Sequence, residues 1–412
     1  MYGARVKRPD RRRSRQLAAS ARRDVVFMTG QSLADGIAGD DDPGQISTTQ
    51  PYSNQQFNVS GVLSSLVNTD REKPHVPACN TATFLSAGAA WQLACRNVSS
   101  TGAPYSELKK NGTGTVYQQI INSITALQAG LAGQGGIRVV AFFVVHGEND
   151  EAAQPGGEGT TAAQYEAFLK EWRSDFDADT SAITGQTEQV HLITDQQSSW
   201  MIGSTGTTTP DVAQAQSLAG VRRDSLNKVF CAGPKYHLPY SASSKHLTGA
   251  GYRGAGQKYG QVLHKLCKEG QIWRPLEPGG ITVAGNDITI AMRVPDPPIV
   301  FDTTAVALKA NYGFEYSDDL GGGAPTISTV EIVPELGGDD YRVRVTLSGP
   351  PRAGSRIRYA FTAAAPSWPG NGLIAQNAGS ARGNLRDSDA TSSLYSLPMH
   401  NWCVHFDEPT GV

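Results

Sequence analysis

No apolar run in the 412 residues approaches the roughly 18 needed to span a bilayer, so nothing in the chain marks a membrane helix. The five cysteines, Cys79, Cys95, Cys231, Cys267 and Cys403, are odd in number and form no CxxC pair. Neither a zinc site nor a disulfide scaffold is indicated, and all five are expected to be free thiols that pack as small hydrophobes. Charge is sparse as well: Asp, Glu, Lys and Arg make up 18% of the chain and the net charge is −2, which gives no whole-chain case for nucleic acid. A secretory signal would need an apolar stretch behind a basic start. "QLAASA", from Gln16, is too short and too polar to serve, so export by a signal peptide is not expected. No internal repeat is present.

Glycine and proline, in contrast, are plentiful, at 45 and 23 residues, which suits a loop-rich α/β enzyme better than a helical bundle. At roughly 150 residues per domain, the length predicts two or three domains. "VVFMTG" from Val25, "RVVAFFVVHG" from Arg138, "QVHLITD" from Gln189 and "KVFCAGP" from Lys228 are continuous apolar runs of the kind that form buried strands. Helical patterns lie among them, from Val116, Ala162, Pro210 and Thr248. Strands alternating with helices predict a mainly parallel sheet covered on both faces, with its ligand crevice beyond the carboxyl ends of the strands. The residues at those ends are Gly30-Gln31-Ser32, His146 to Asp150, and Asp195-Gln196.

After "WRPLEPGG" the texture changes to short alternating segments separated by Gly, Pro and Asp turns, which predict a β-sandwich. The chain therefore divides into a basic arm (1–24), an α/β domain (25–275) and a β-sandwich domain with an irregular tail (276–412). In the arm, nine Lys or Arg stand against Asp10 and Asp24, a balance of +7 that leaves the remainder at −9. It is expected to dock on an acidic partner surface or to be solvated.

The strand ends supply what a nucleophilic serine needs, namely a base and donors for an oxyanion. Ser32 follows the first strand behind Gly30. His246 lies just before Thr248, an N-cap residue for a helix whose apolar face is Tyr252, Ala255, Tyr259, Val262 and Leu266, so its loop can project into the crevice. Asn149, in "HGEND", can offer its amide to developing negative charge. "GAGYRG", from Gly249, matches GxGxxG but follows no apolar strand, so packing of a small-residue helix face is the better account. His191, inside a strand run, is expected to be a core or turn residue.

"GQS" after the first strand, "GEND" after a middle strand and "HLTGAGY" late in the α/β region together resemble the SGNH (GDSL-like) hydrolases, and most nearly the sialate O-acetylesterase and carbohydrate acetylesterase branch. The resemblance spans Val25 to Leu266. It implies a three-layer, flavodoxin-like α/β fold with Ser32 as nucleophile, His246 as general base, and Asn149 with the backbone N–H of the Ser32 turn as oxyanion donors. Gly102, in "NVSSTGAPYSEL", stands as the glycine of the second block. Gln31 and His146 are further oxyanion or substrate contacts, His146 standing where the branch has Gln. No metal or organic cofactor is implied. The aspartate expected three residues before the base is Ser243 here. The site is therefore either a Ser32–His246 dyad, or a triad whose carboxylate comes from elsewhere, with Glu148 and Asp150 nearest by motif.

The tail "GNLRDSDATSSLYSLPMHNWCVHF", from Gly383, resembles segments that accompany such esterases in bacteriophage tail and prophage proteins. The expected activity is removal of O-acetyl groups from a polysaccharide or glycan, with residues 1–24 anchoring the chain to another virion subunit. A homo-oligomer is expected, with neither nucleic acid nor membrane as partner. The competing reading is a catalytically impaired glycan-binding or structural virion protein. An SGNH enzyme for lipid esters is a third, against which stands the lack of an amphipathic membrane-binding segment.

Overall fold

Val25 to Met28 are wholly buried, and their side chains alternate between two separate cores. Val26 and Met28 face one layer of helices, Val25 and Phe27 the other. An uninterrupted apolar run is what a strand needs when both faces of its sheet are covered. The computed structural model describes residues 22–87, 91–151, 160–198, 211–217, 228–241, 246–318, 320, 322–333, 341–362 and 381–412.

In chain order the first part comprises β1 (Arg23–Gly30), β2 (Gln55–Phe57), β3 (Leu63–Ser65), α1 (His75–Leu85), β4 (Leu93–Ser99), α2 (Tyr105–Leu108), α3 (Val116–Leu131), β5 (Ile137–Val145), α4 (Ala162–Thr184), β6 (His191–Gln196), α5 (Asp211–Ser217), β7 (Val229–Pro234) and α6 (Gly249–His264). The strands form one seven-stranded sheet in the order β3-β2-β4-β1-β5-β6-β7, parallel except for β3. α1 and α6 contribute Val76, Ala82, Tyr252, Tyr259 and Val262 to one core. The other core takes Ile120 and Leu127 of α3, Trp172 and Phe176 of α4, and Val212 of α5. The order reverses at β1, which puts the topological switch point and its crevice between β1 and its neighbours.

Helix boundaries follow local chemistry. Thr161 caps α4 through a capping box with Gln164, and the Thr248 hydroxyl accepts from the Gly251 N–H at the start of α6. The glycines of α6 cost helix propensity, but they allow close packing. A Cβ on Gly256 would stand 2.5 Å from the Pro74 carbonyl oxygen, and one on Gly260 would stand 2.3 Å from that of Ala78, so α6 lies directly on the backbone of α1. This is the small-residue packing expected in place of a dinucleotide site.

Beyond Glu277 the described strands are β8 (Glu277–Ala284), β9 (Asp287–Arg293), β10 (Val300–Phe301), β11 (Phe314–Ser317), β12 (Ile327–Val333), β13 (Tyr341–Leu347), β14 (Arg356–Tyr359), β15 (Leu385–Arg386) and β16 (Phe406–Pro409). They form antiparallel sheets of four (β12-β13-β9-β8), three (β11-β14-β16) and two strands (β10-β15) around a third core that includes Ile288, Val343, Ile357 and Phe406. The tail also returns to the first part. Gln196 at the end of β6 exchanges two hydrogen bonds with the His405 backbone, and Lys258 of α6 donates at 2.7 Å to Met399 O and Asn401 Oδ1. All five cysteines are free thiols: Cys79, Cys95, Cys231 and Cys403 are buried and Cys267 is partly buried. Most of the basic arm, residues 1–21, lies outside the described residues. Among the described residues no helix is long and apolar enough to cross a membrane.

Candidate active site

β1 ends at Gly30, whose φ of +138° lies where glycine is favoured and where an added Cβ would stand 2.0 Å from the Val145 carbonyl oxygen. The strand can therefore turn sharply while still pressed against β5. Gln31 N–H donates to Val145 O, and the following turn is closed by Ala34 N–H to Gln31 O and Ile37 N–H to Ser32 O. Ser32 is left 3% exposed at the carboxyl end of the sheet.

His246 arrives from the loop between β7 and α6. The Ser241 N–H donates to His246 O, Leu247 bridges Tyr240, and Thr248 N–H donates to Pro239 O. This small two-legged loop is clamped to the turn after the nucleophile by the Ser241 hydroxyl on Asp41 and by Tyr252 Oη, which donates to Ile37 O at 2.8 Å. The outcome is a hydrogen bond of 2.8 Å between His246 Nε2 and Ser32 Oγ, although 214 residues separate them. That is the contact a base needs to take a proton from a serine. Ser243 lies outside the described residues.

Gly30 pairs with Ser99 of β4 on one side and Val145 of β5 on the other, so the residues just beyond these three strand ends share one rim. Gly102, exposed with φ +72°, is on the rim after β4, and Asn149 is on it after β5. Gln31 fastens Asn149 in place, its Oε1 accepting from the Asn149 N–H at 3.3 Å. Three donors here have no acceptor among the described residues: the N–H groups of Ser32 and Gly102 and the side-chain amide of Asn149. Unpaired donors around a serine–histidine pair suit a developing oxyanion.

The neighbouring residues of "HGEND" turn inward. His146 is wholly buried, with Nδ1 2.7 Å from Tyr165 Oη and Nε2 3.1 Å from Ala103 O and 3.2 Å from Asp150 Oδ2. Since Ala103 O can only accept, Nε2 carries the proton. Asp150 also accepts from the Tyr105 N–H, so this cluster ties the loops after β4 and β5 together. Glu148 is wholly buried and accepts at 3.0 Å from Lys235 Nζ, which donates to Asp195 at 2.9 Å. His146 thus faces Tyr165, Asp150 and the Ala103 carbonyl of the loop after β4. Glu148 and Asp150, the carboxylates nearest His246 by motif, face Lys235 and His146.

The Lys235 cluster escaped the sequence reading, although a lysine directly after the apolar run "VFCAGP" is a usable signal. Burial alone would raise the Glu148 carboxyl, but the Lys235 ammonium outweighs it and holds that carboxyl below its ordinary range. Burial wins at Asp195, and with the Glu148 charge beside it the carboxyl is pushed up to about 6. Burial opposes the Lys235 charge, yet the two carboxylates raise its pKa. The cluster braces the residue preceding Asn149 against the ends of β6 and β7. Among the described residues no group of three or more His, Cys, Asp or Glu could hold a metal ion.

No protein-family model and no curated protein sequence matches the chain. Among solved structures, a carbohydrate acetylesterase from Xanthomonas citri aligns over 93% of this chain and 80% of its own, at 13% identity and a TM-score of 0.62. A protein from Arabidopsis thaliana (14% identity, 59% of this chain, 98% of its own, TM-score 0.45) and a carbohydrate acetylesterase from Sinorhizobium meliloti (9%, 60%, 98%, 0.34) are too distant to bear on the fold. The likeness to the Xanthomonas citri protein shows a shared architecture: the mainly parallel, three-layer α/β arrangement expected of an SGNH-like domain, followed by a β-rich part.

Proposed function

We propose that the chain is a serine esterase that removes O-acetyl groups from a polysaccharide or glycan. The observation that carries this reading is the 2.8 Å contact between Ser32 Oγ and His246 Nε2 at the crevice of the sheet. Ser32 Oγ attacks the acetyl carbonyl carbon while His246 Nε2 takes its proton. The carbonyl oxygen becomes an oxyanion within reach of the Asn149 amide and the N–H groups of Ser32 and Gly102. Collapse breaks the bond to the sugar oxygen, which leaves with the proton from His246, and a water activated by the same histidine then releases acetate from Ser32.

The choice of acetyl ester and glycan rests on the motif resemblance and on the architecture shared with a carbohydrate acetylesterase. Placement in the sialate O-acetylesterase branch rests on the motifs alone. In the same reading residues 1–24 anchor the chain to another virion subunit; the support is their charge and the resemblance of the tail from Gly383. The test is acetate release from a panel of O-acetylated glycans by the full chain and by Ser32→Ala. Release by the former and its loss in a folded Ser32→Ala variant are expected. Equal release by both would remove Ser32 as nucleophile, and no release by either would favour the binding-protein alternative.

A further inference from the structure

β2 accompanies β4 only at Ala94 and Cys95, so Arg96 to Ser99 run on beside β1 with no strand on their outer side among the described residues. The space this leaves is a polar groove of about 370 Å³, lined among others by Asp35, Asn68, Lys73, Arg96, Asn97 and Gln119. It reaches the catalytic rim. Ser99, which also lines it, pairs with Gly30, and Asn97 Nδ2 donates at 2.6 Å to Ala34 O, two residues past Ser32.

The charges in the groove and at its edge, where Arg71 stands beside the lining residue Asp70, are unevenly matched. Lys73 Nζ lies 3.2 Å from Asp35 and 3.9 Å from Asp70, while Arg71 reaches Asp70 at 3.2 Å and Asp35 at 4.0 Å, so these two acids and two bases cancel. Arg96 is left over. It has no ion pair among the described residues, its one hydrogen bond runs from Nη1 to Phe57 O at 3.4 Å, and its Nε is buried without an acceptor. Burial is the sole cause acting on its acidity, and it lowers the guanidinium pKa. A half-buried guanidinium with most of its five donors unused is an unfavourable arrangement unless a ligand completes it. Two further polar atoms at the groove wall lack partners: Asn97 Oδ1, and Nδ1 of His75, which is 5% exposed.

We propose that this groove is a subsite for a carboxylate-bearing sugar, a uronic or a nonulosonic acid, which rests its carboxylate on the terminal nitrogens of Arg96 while a neighbouring O-acetyl group reaches Ser32. The planar guanidinium matches a carboxylate with two parallel hydrogen bonds, and the amides of Asn68, Asn97 and Gln119 suit sugar hydroxyls. The assignment rests on the esterase reading for its acetyl group, but not for its anion.

Wild type, Arg96→Gln and Arg96→Lys would be assayed on an O-acetylated oligogalacturonide, an O-acetylated sialoside, an O-acetylated xylo-oligosaccharide and 4-nitrophenyl acetate. Arg96→Gln should raise KM at least about tenfold for one acidic substrate and leave the neutral glycan and 4-nitrophenyl acetate unchanged. Arg96→Lys should recover part of that loss, and the acidic substrate that responds identifies the source of the carboxylate. An unchanged KM on both acidic substrates, or an equal loss on all four esters in a folded variant, overturns the proposal. If Arg96→Gln does not fold, the same split in Arg96→Lys decides. If the wild type hydrolyses none of the esters, the esterase reading fails, and calorimetric binding of unacetylated oligogalacturonide and sialoside to wild type and Arg96→Lys judges the subsite alone: weaker binding in the variant supports it, equal or absent binding refutes it.

Discussion

Replacing Lys235 with methionine keeps the unbranched apolar stem, one heavy atom shorter, and removes the cation between Glu148 and Asp195. In the native protein its Nζ is 3.0 Å from one carboxylate and 2.9 Å from the other, at 2% exposure, while Glu148 Oε2 has no hydrogen-bond partner among the described residues. Removing one member of such a buried pairing typically costs about 3–5 kcal/mol. For a unit of this size, about 2–4 °C per kcal/mol translates this into a melting temperature roughly 6–20 °C lower near pH 8. The pH dependence separates charge from packing. In the wild type the folded Asp195 carboxyl, at about 6, lies above its ordinary 3.8, so the folded state holds the extra proton and stability from this group falls as pH rises through that window. Glu148 is lowered and acts in the opposite sense: its contribution is present above its ordinary value of 4.5 and is lost as pH falls through the folded value. Without Lys235 both carboxyls move up, so the defect should be largest at pH 8 and clearly smaller at pH 5. Thermal melts of both proteins at the two pH values provide the measurement, with Glu148→Gln added to Lys235→Met expected to recover part of the loss at pH 8. A defect of equal size at both pH values would refute the electrostatic account and leave only lost packing.

Asn149→Ala should lower kcat about 10²-fold or more with little change in KM, since the amide is assigned to charge that develops after binding; unchanged turnover on an O-acetylated glycan would remove it from the oxyanion site. Gly30→Ala combines a φ of +138° with a Cβ 2.0 Å from Val145 O, so the turn must move and with it Ser32. Labelling of Ser32 by a fluorophosphonate should slow at least tenfold in a protein that still folds, and an unchanged labelling rate would show that the turn tolerates the shift.

The sequence by itself determined the elements and their kind, because local patterning decides them. Four apolar runs of strand length separated by amphipathic helices leave little alternative to a parallel sheet with two covered faces, and Thr248 announces the start of α6 through its own hydroxyl. The residues at the strand ends were legible for the same reason, since a parallel sheet delivers them all to one rim. Direction within that rim was not legible. "HGEND" reads as four polar residues and a glycine in a turn, yet His146, Glu148 and Asp150 point into the protein toward Tyr165, Lys235 and the Tyr105 N–H, and only Asn149 stays half-buried beside Gln31. Which side chains are taken inward depends on partners 19 to 87 residues away along the chain. The glycines of α6, poor helix formers by propensity, make sense only against the backbone of α1. Tertiary structure alone decided the groove as well: Arg96 is an ordinary strand arginine in the sequence, and it lacks a counter-charge among the described residues because β2 leaves β4 at Cys95 while Lys73 and Arg71 hold the nearby aspartates. Burial and pairing are properties of what packs from a distance, and no local pattern encodes them.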